Sequence, residues 1–106
     1  MLDILRAAKL AVGYLEGKTR QEFLKDIQCQ DAVIRRLEII GEAAARVSEA
    51  TTVEMPNIPW KKMVGMRNLM IHEYDDVDLG IVWDTVKDDL PSLIHLIEPL
   101  VPPEKT

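Results

Sequence analysis

Apolar residues along the chain recur at intervals of three and four, and nowhere alternate with the period of two that marks a half-buried strand. Ile4, Leu5, Ala8, Val12 and Leu15 define one face of a first helix, which Asp3 can cap and Gly17 ends. Thr19 with Glu22 three residues later has the pattern of a capping box, opening a short segment through Phe23 and Leu24. The longest helix is expected from about Gln28 to Val47, with Val33, Ile34, Leu37, Ile40, Ala44 and Val47 on one stripe. Its small residues Gly41, Ala43, Ala44 and Ala45 would let a neighbouring helix approach closely.

β-Branched residues and two prolines predict a loop over 48–59, ending where Asn57 can cap and Pro59 can occupy the first turn of a fourth helix. That helix should reach about His72, before an acidic turn. Asp78 then caps a fifth, whose stripe is Ile81, Val82, Val86, Leu90, Leu93 and Ile97, and Pro91 must kink or restart it by removing a backbone donor. Pro99, Pro102 and Pro103 end the fold. These patterns predict an all-α protein, an antiparallel bundle of four to five helices forming a single domain over 1–101, with a frayed tail at 102–106.

With 106 residues, 47% apolar and 29% charged, the composition is that of a globular domain. Such a chain buries about 65% of the surface its unfolded form exposes. Asp3, Arg6, Lys9 and Glu16 interrupt the first apolar stretch, which argues against a signal peptide or membrane span and for a cytoplasmic protein with no membrane partner. A lone cysteine, Cys29, can form no internal disulfide and reads as a plain buried or half-buried thiol. The net charge of −5 counts against a broad phosphate-binding surface. The acidity is uneven, however: residues 1–62 carry ten Lys/Arg and nine Asp/Glu, and residues 63–106 carry three and nine. Arg67 is therefore an isolated cation in an acidic half, compatible with a site that touches only a few phosphates.

On a helical wheel Trp60, Met63, Val64, Met70 and Ile71 form an apolar stripe with Arg67 in its middle. A guanidinium there must pair with a carboxylate inside the bundle or face an interface or cleft. Asn68 and His72 lie about 40° apart round the same helix, with Gly65 on the same side, so the amide can orient the imidazole. Arg67 and His72 diverge by about 140° in a continuous helix. Either the helix unwinds before His72 or a two-fold partner completes the site. Other chemistries have less support: His95 is too distant in sequence from His72 to imply a metal pair, no Cys/His ligand spacing occurs, and Asp75, Asp76 and Asp78 lack the glycine and terminal glutamate of a calcium loop. There is no glycine-rich phosphate loop and no nucleophile elbow. Arg67 with His72 is the credible catalytic pair, with no metal or cofactor called for.

Arg67, Asn68, His72 and Tyr74 spell R-N-x-x-x-H-x-Y, which resembles the motif of HEPN-superfamily ribonucleases of the HepT-like toxin branch. The likeness extends to QDAVIRRLEIIGEAA at 30–44, IPWKKMVGMRN at 58–68 and VDLGIVWDTVKDDLP at 77–91. The resemblance implies a helical homodimer, the toxin half of a toxin–antitoxin pair, that cleaves RNA without a metal. Arg67 would clamp phosphate and His72 act as general acid/base; Asn68 would orient His72 or contact the phosphate, and Tyr74 would position RNA. It also implies a minimal nucleotidyltransferase as antitoxin, adenylylating Tyr74. The alternative is a non-catalytic interaction module, in which the same residues hold a dimer or the nucleotidyltransferase partner.

Overall fold

The computed structural model describes residues 1–71 and 78–102, with backbone alone at 68–71. The fold is all-α. In chain order the helices are α1 (Leu2–Leu15), α2 (Arg20–Lys25), α3 (Ile27–Ala45), α4 (Glu49–Glu54), α5 (Trp60–Ile71), α6 (Leu79–Asp84) and α7 (Leu90–Ile97). A π-helical segment, Thr85–Asp89, joins α6 to α7, and a 3₁₀ turn, Glu98–Leu100, follows.

Local chemistry explains most of the boundaries. Asp3 lies in the first turn of α1 rather than capping it, because the helix begins two residues earlier than that cap would place it, after Met1. There its carboxylate still faces the positive end of the helix dipole. Gly17, at φ +77°, makes the left-handed turn that follows α1. Thr19 and Glu22 form the reciprocal capping box that opens α2. Asp26 caps α3 by accepting the Cys29 N–H at 3.0 Å. The segment read as a loop contains α4, which Ser48 caps by accepting from Thr51; a cap of this kind stabilises even a β-branched stretch enough for one and a half turns. The first helical bond of α5 runs from the Met63 N–H to the Pro59 carbonyl at 3.0 Å, so Pro59 stands just before the helix rather than in its first turn.

Asp78 caps α6 through the Gly80 and Ile81 N–H groups. Pro91 restarts the helix as expected: α7 begins at Leu90 with Pro91 in its first turn, after an intervening π-helical segment. Its ring would strike the Lys87 carbonyl in an α-helical ladder. The backbone relieves this by widening to π geometry over Thr85–Asp89, closed by a Leu90 N–H to Thr85 carbonyl bond.

The core takes Ile4, Ala8, Ala11 and Leu15 from α1, Phe23 from α2, Val33, Leu37, Ile40 and Ala44 from α3, and Met63 and Met66 from α5. Val82, Val86, Leu90, Leu93 and Ile97 complete it. Val12, Ile34 and Val47 are only half-buried, and Ile81 is exposed, placing it at the edge of its stripe. Lys9 pairs with Glu98 at 2.5 Å, while Lys87 Nζ donates to the Leu15 carbonyl at 3.2 Å, so α1 and the last helix run antiparallel. Lys87 also sits 4.9 Å from the centre of the Trp83 ring, which packs on Phe23 at 5.7 Å. Among the described residues no helix is long and apolar enough to cross a membrane.

Candidate active site

The candidate chemistry is carried by α5. Trp60 anchors its first turn, donating its indole N–H to the Met55 carbonyl at 3.0 Å. Met63 and Met66 are buried and pin one side of the helix to the core. Met66 was not part of the stripe read from the sequence; it lies about 40° beyond its edge and is buried because the core closes over that flank. On the same flank, one turn before Met66, Lys62 pairs with Asp89 of the π segment at 2.9 Å.

Arg67 is half-buried, at a close approach of α5 to α3. The contact on α3 is Gly41. A Cβ placed there would lie 2.6 Å from the Arg67 backbone nitrogen and 2.9 Å from its Cα, and would overlap its Cβ. Only hydrogen at position 41 permits this approach. The Arg67 Nε is buried without a hydrogen-bond partner, and no carboxylate among the described residues pairs with the guanidinium. Of the two sequence-based alternatives for this side chain, the ion pair inside the bundle is therefore absent among those residues. Arg36 on α3 has its Nε in the same state.

Asn68 is within α5, and its side chain lies outside the described residues, as do His72 and Tyr74 entirely. The acidic positions Glu73, Asp75 and Asp76 fall there too, while Asp78 is an exposed helix cap. Cys29 is half-buried with its Sγ 3.7 Å from the Tyr14 carbonyl, and burial pushes its thiol pKa up, so it is poorly suited to act as a thiolate nucleophile. His95 is exposed on α7. Among the described residues no group of three His, Cys, Asp or Glu side chains is placed to hold a metal ion.

The structure thus places a part-buried arginine, with no carboxylate partner among the described residues, at a contact between two helices of an all-helical fold. The sequence model of the family described as Ribonuclease HepT-like matches residues 4–100, and the chain belongs to that family. It is 42% identical over 98 residues to a Thermococcus cleftensis protein named "Probable ribonuclease HepT", covering 92% of this chain and 89% of that one. A Methanocaldococcus jannaschii protein named "Putative RNase" is 38% identical over 98 residues, covering 92% and 90%. Another of that name, from Caldanaerobacter subterraneus, is 32% identical over 102 residues, covering 96% and 91%. No solved structure matches the chain.

Proposed function

We propose that the protein is a metal-independent endoribonuclease toxin, and that its site is built on Arg67 and His72. The observation that carries this reading is the guanidinium of Arg67. It is held half-buried against Gly41 with an unsatisfied Nε, in a member of the ribonuclease HepT-like family. A part-buried cation with no carboxylate partner among the described residues is poised for an external anion, and a phosphodiester supplies one.

RNA brings its own nucleophile. His72 takes the proton from the 2′-hydroxyl, the 2′-oxygen bonds to phosphorus, and the bond to the 5′-oxygen breaks as an imidazolium returns a proton to it. The products are a 2′,3′-cyclic phosphate and a 5′-hydroxyl. Arg67 neutralises the charge that builds on the phosphoryl oxygens. Asn68 orients His72 or touches the phosphate, and Tyr74 positions the RNA. The active unit is a two-fold homodimer of a domain spanning 1–101, because Arg67 and a helical His72 diverge too far for one helix to bring them together. A minimal nucleotidyltransferase antitoxin silences the site by adenylylating Tyr74, placing negative phosphodiesters beside the cation meant for RNA.

The test is incubation of the purified chain with total cellular RNA in excess chelator. Cleavage should persist, and should fall by roughly 10²–10⁴ in His72→Ala with the fold intact. Undiminished cleavage by His72→Ala would remove His72 from the mechanism, and loss of activity with chelator would require a metal. Intact-mass measurement after co-expression with the nucleotidyltransferase tests the modification. Wild type should gain adenylyl groups that Tyr74→Phe does not.

A further inference from the structure

The two lysines at the start of α5 are used differently by the fold. Lys62 is held in the ion pair with Asp89 at 2.9 Å. Lys61 is exposed and has no hydrogen-bond or ion-pair partner among the described residues. One turn further on, Gly65 is half-buried, yet a Cβ placed there would meet nothing within 4 Å among the described residues, so its backbone is left uncovered by them. Helical register puts Lys61, Gly65 and Asn68 at spacings of four and three, on a single stripe of α5. Glycine is a poor choice for a helix interior unless something must come close to its backbone.

We propose that Lys61 is a second phosphate-binding residue, and that the RNA strand crosses α5 over the open backbone at Gly65. This rests on the reading of Arg67 and His72 as an RNA-cleaving site. Lys61 and Arg67 are six residues apart, about 9 Å along the helix axis. The two also diverge by about 120° round α5, so a strand whose scissile phosphate lies on Arg67 must cross the helix flank at Gly65 to bring a phosphate further along to Lys61. The two side chains suit these separate tasks. The rigid fork of Arg67 fits the reacting group, while the flexible ammonium of Lys61 can follow a phosphate whose orientation is not fixed. In a chain of net charge −5, an unpaired cation beside the site is a large share of the attraction available to RNA.

The probe is a fluorescent single-stranded 2′-O-methyl RNA of mixed sequence, which lacks the nucleophilic hydroxyl and so binds uncut. Affinity is measured between 50 and 200 mM salt for wild type, Lys61→Gln and Lys62→Gln. Lys61→Gln should weaken binding by about 3- to 10-fold at the low end and flatten the slope of log K against log salt by about 0.7, the contribution of one lost contact to a single strand. On cleavable RNA it should raise KM and leave kcat close to wild type. Lys62→Gln should change the salt slope little, since Asp89 already neutralises that lysine. An unchanged slope in Lys61→Gln, or an equal flattening in Lys62→Gln, would overturn the assignment. So would a Lys61→Gln defect confined to binding of the nucleotidyltransferase protein. A wild-type chain that neither binds the probe nor cuts RNA would instead overturn the underlying nuclease reading.

Discussion

Gly41 of α3 and Arg67 of α5 share one point of contact, so close that a single methyl group at position 41 would overlap Arg67 and press on its backbone. The depth at which α5 sits, and with it the placement of the guanidinium, is therefore set from the neighbouring helix. Gly65, two residues before Arg67, is the opposite case, with open space where a side chain would be.

The two glycines should respond oppositely to alanine. Gly41→Ala forces α3 and α5 apart and should cost about 1–3 kcal/mol, the usual range for overpacking, and it should lower RNA cleavage as Arg67 shifts. Gly65→Ala meets no neighbour and should stabilise the chain by up to about 1 kcal/mol through helix propensity. Urea unfolding of the two variants beside wild type checks this. Equal stability of Gly41→Ala and wild type would show that the helices accommodate the methyl group without strain.

Arg67 should trade stability for function. Its Nε is buried without a hydrogen bond. Methionine is an apolar chain of similar length, so Arg67→Met removes the unsatisfied donor without opening a cavity. Arg67→Met should hold or raise stability, by about 1 kcal/mol, while RNA cleavage is lost. A marked drop in melting temperature would show that the guanidinium is a structural partner rather than a group kept for substrate.

Asp26 links three elements and should give the fold an acid-sensitive joint. It accepts from the Cys29 N–H and from Lys18 Nζ at 3.1 Å, and the backbone bond first, then the lysine, holds its carboxyl below the usual range. A carboxyl whose folded pKa is depressed contributes stability above its unfolded value and loses it as pH falls through the folded one. The contribution should thus be complete at neutral pH and decline from about pH 4 downward. Asp26→Asn keeps a capping oxygen but cannot titrate, so its urea midpoint should fall less steeply over that interval. Glu22, lowered by its bond from the Thr19 N–H, titrates in the same direction and will leave part of the slope in place. Parallel acid limbs in the variant and wild type would remove Asp26 as the cause.

Arg67→Ala and His72→Ala chains, each inactive alone, should regain partial RNA cleavage when refolded together if each subunit of a two-fold dimer contributes one group. The mixed dimer can carry one intact composite site. Sedimentation of the wild type at micromolar concentration is the accompanying measurement, and a monomer there would exclude a shared site.

Much of the fold was legible because helix periodicity and capping are local. The box at Thr19 and Glu22, the cap at Asp78 and the buried stripe from Val33 to Ala44 follow from side chains within one or two turns of each other. The short helix at Glu49–Glu54 was not legible, since its β-branched residues obscure a helix that the Ser48 cap secures. Arg67 was conspicuous in sequence as a charge on an apolar stripe, and Gly41 as a place for close approach. That these two residues meet, that Lys62 is tied to Asp89 while Lys61 has no partner among the described residues, and that Pro91 follows a π segment were decided only by tertiary structure. Periodicity reports which face of a helix is buried. Which helix lies against that face, and at what depth, depends on contacts between residues far apart in the chain, and no local pattern encodes them.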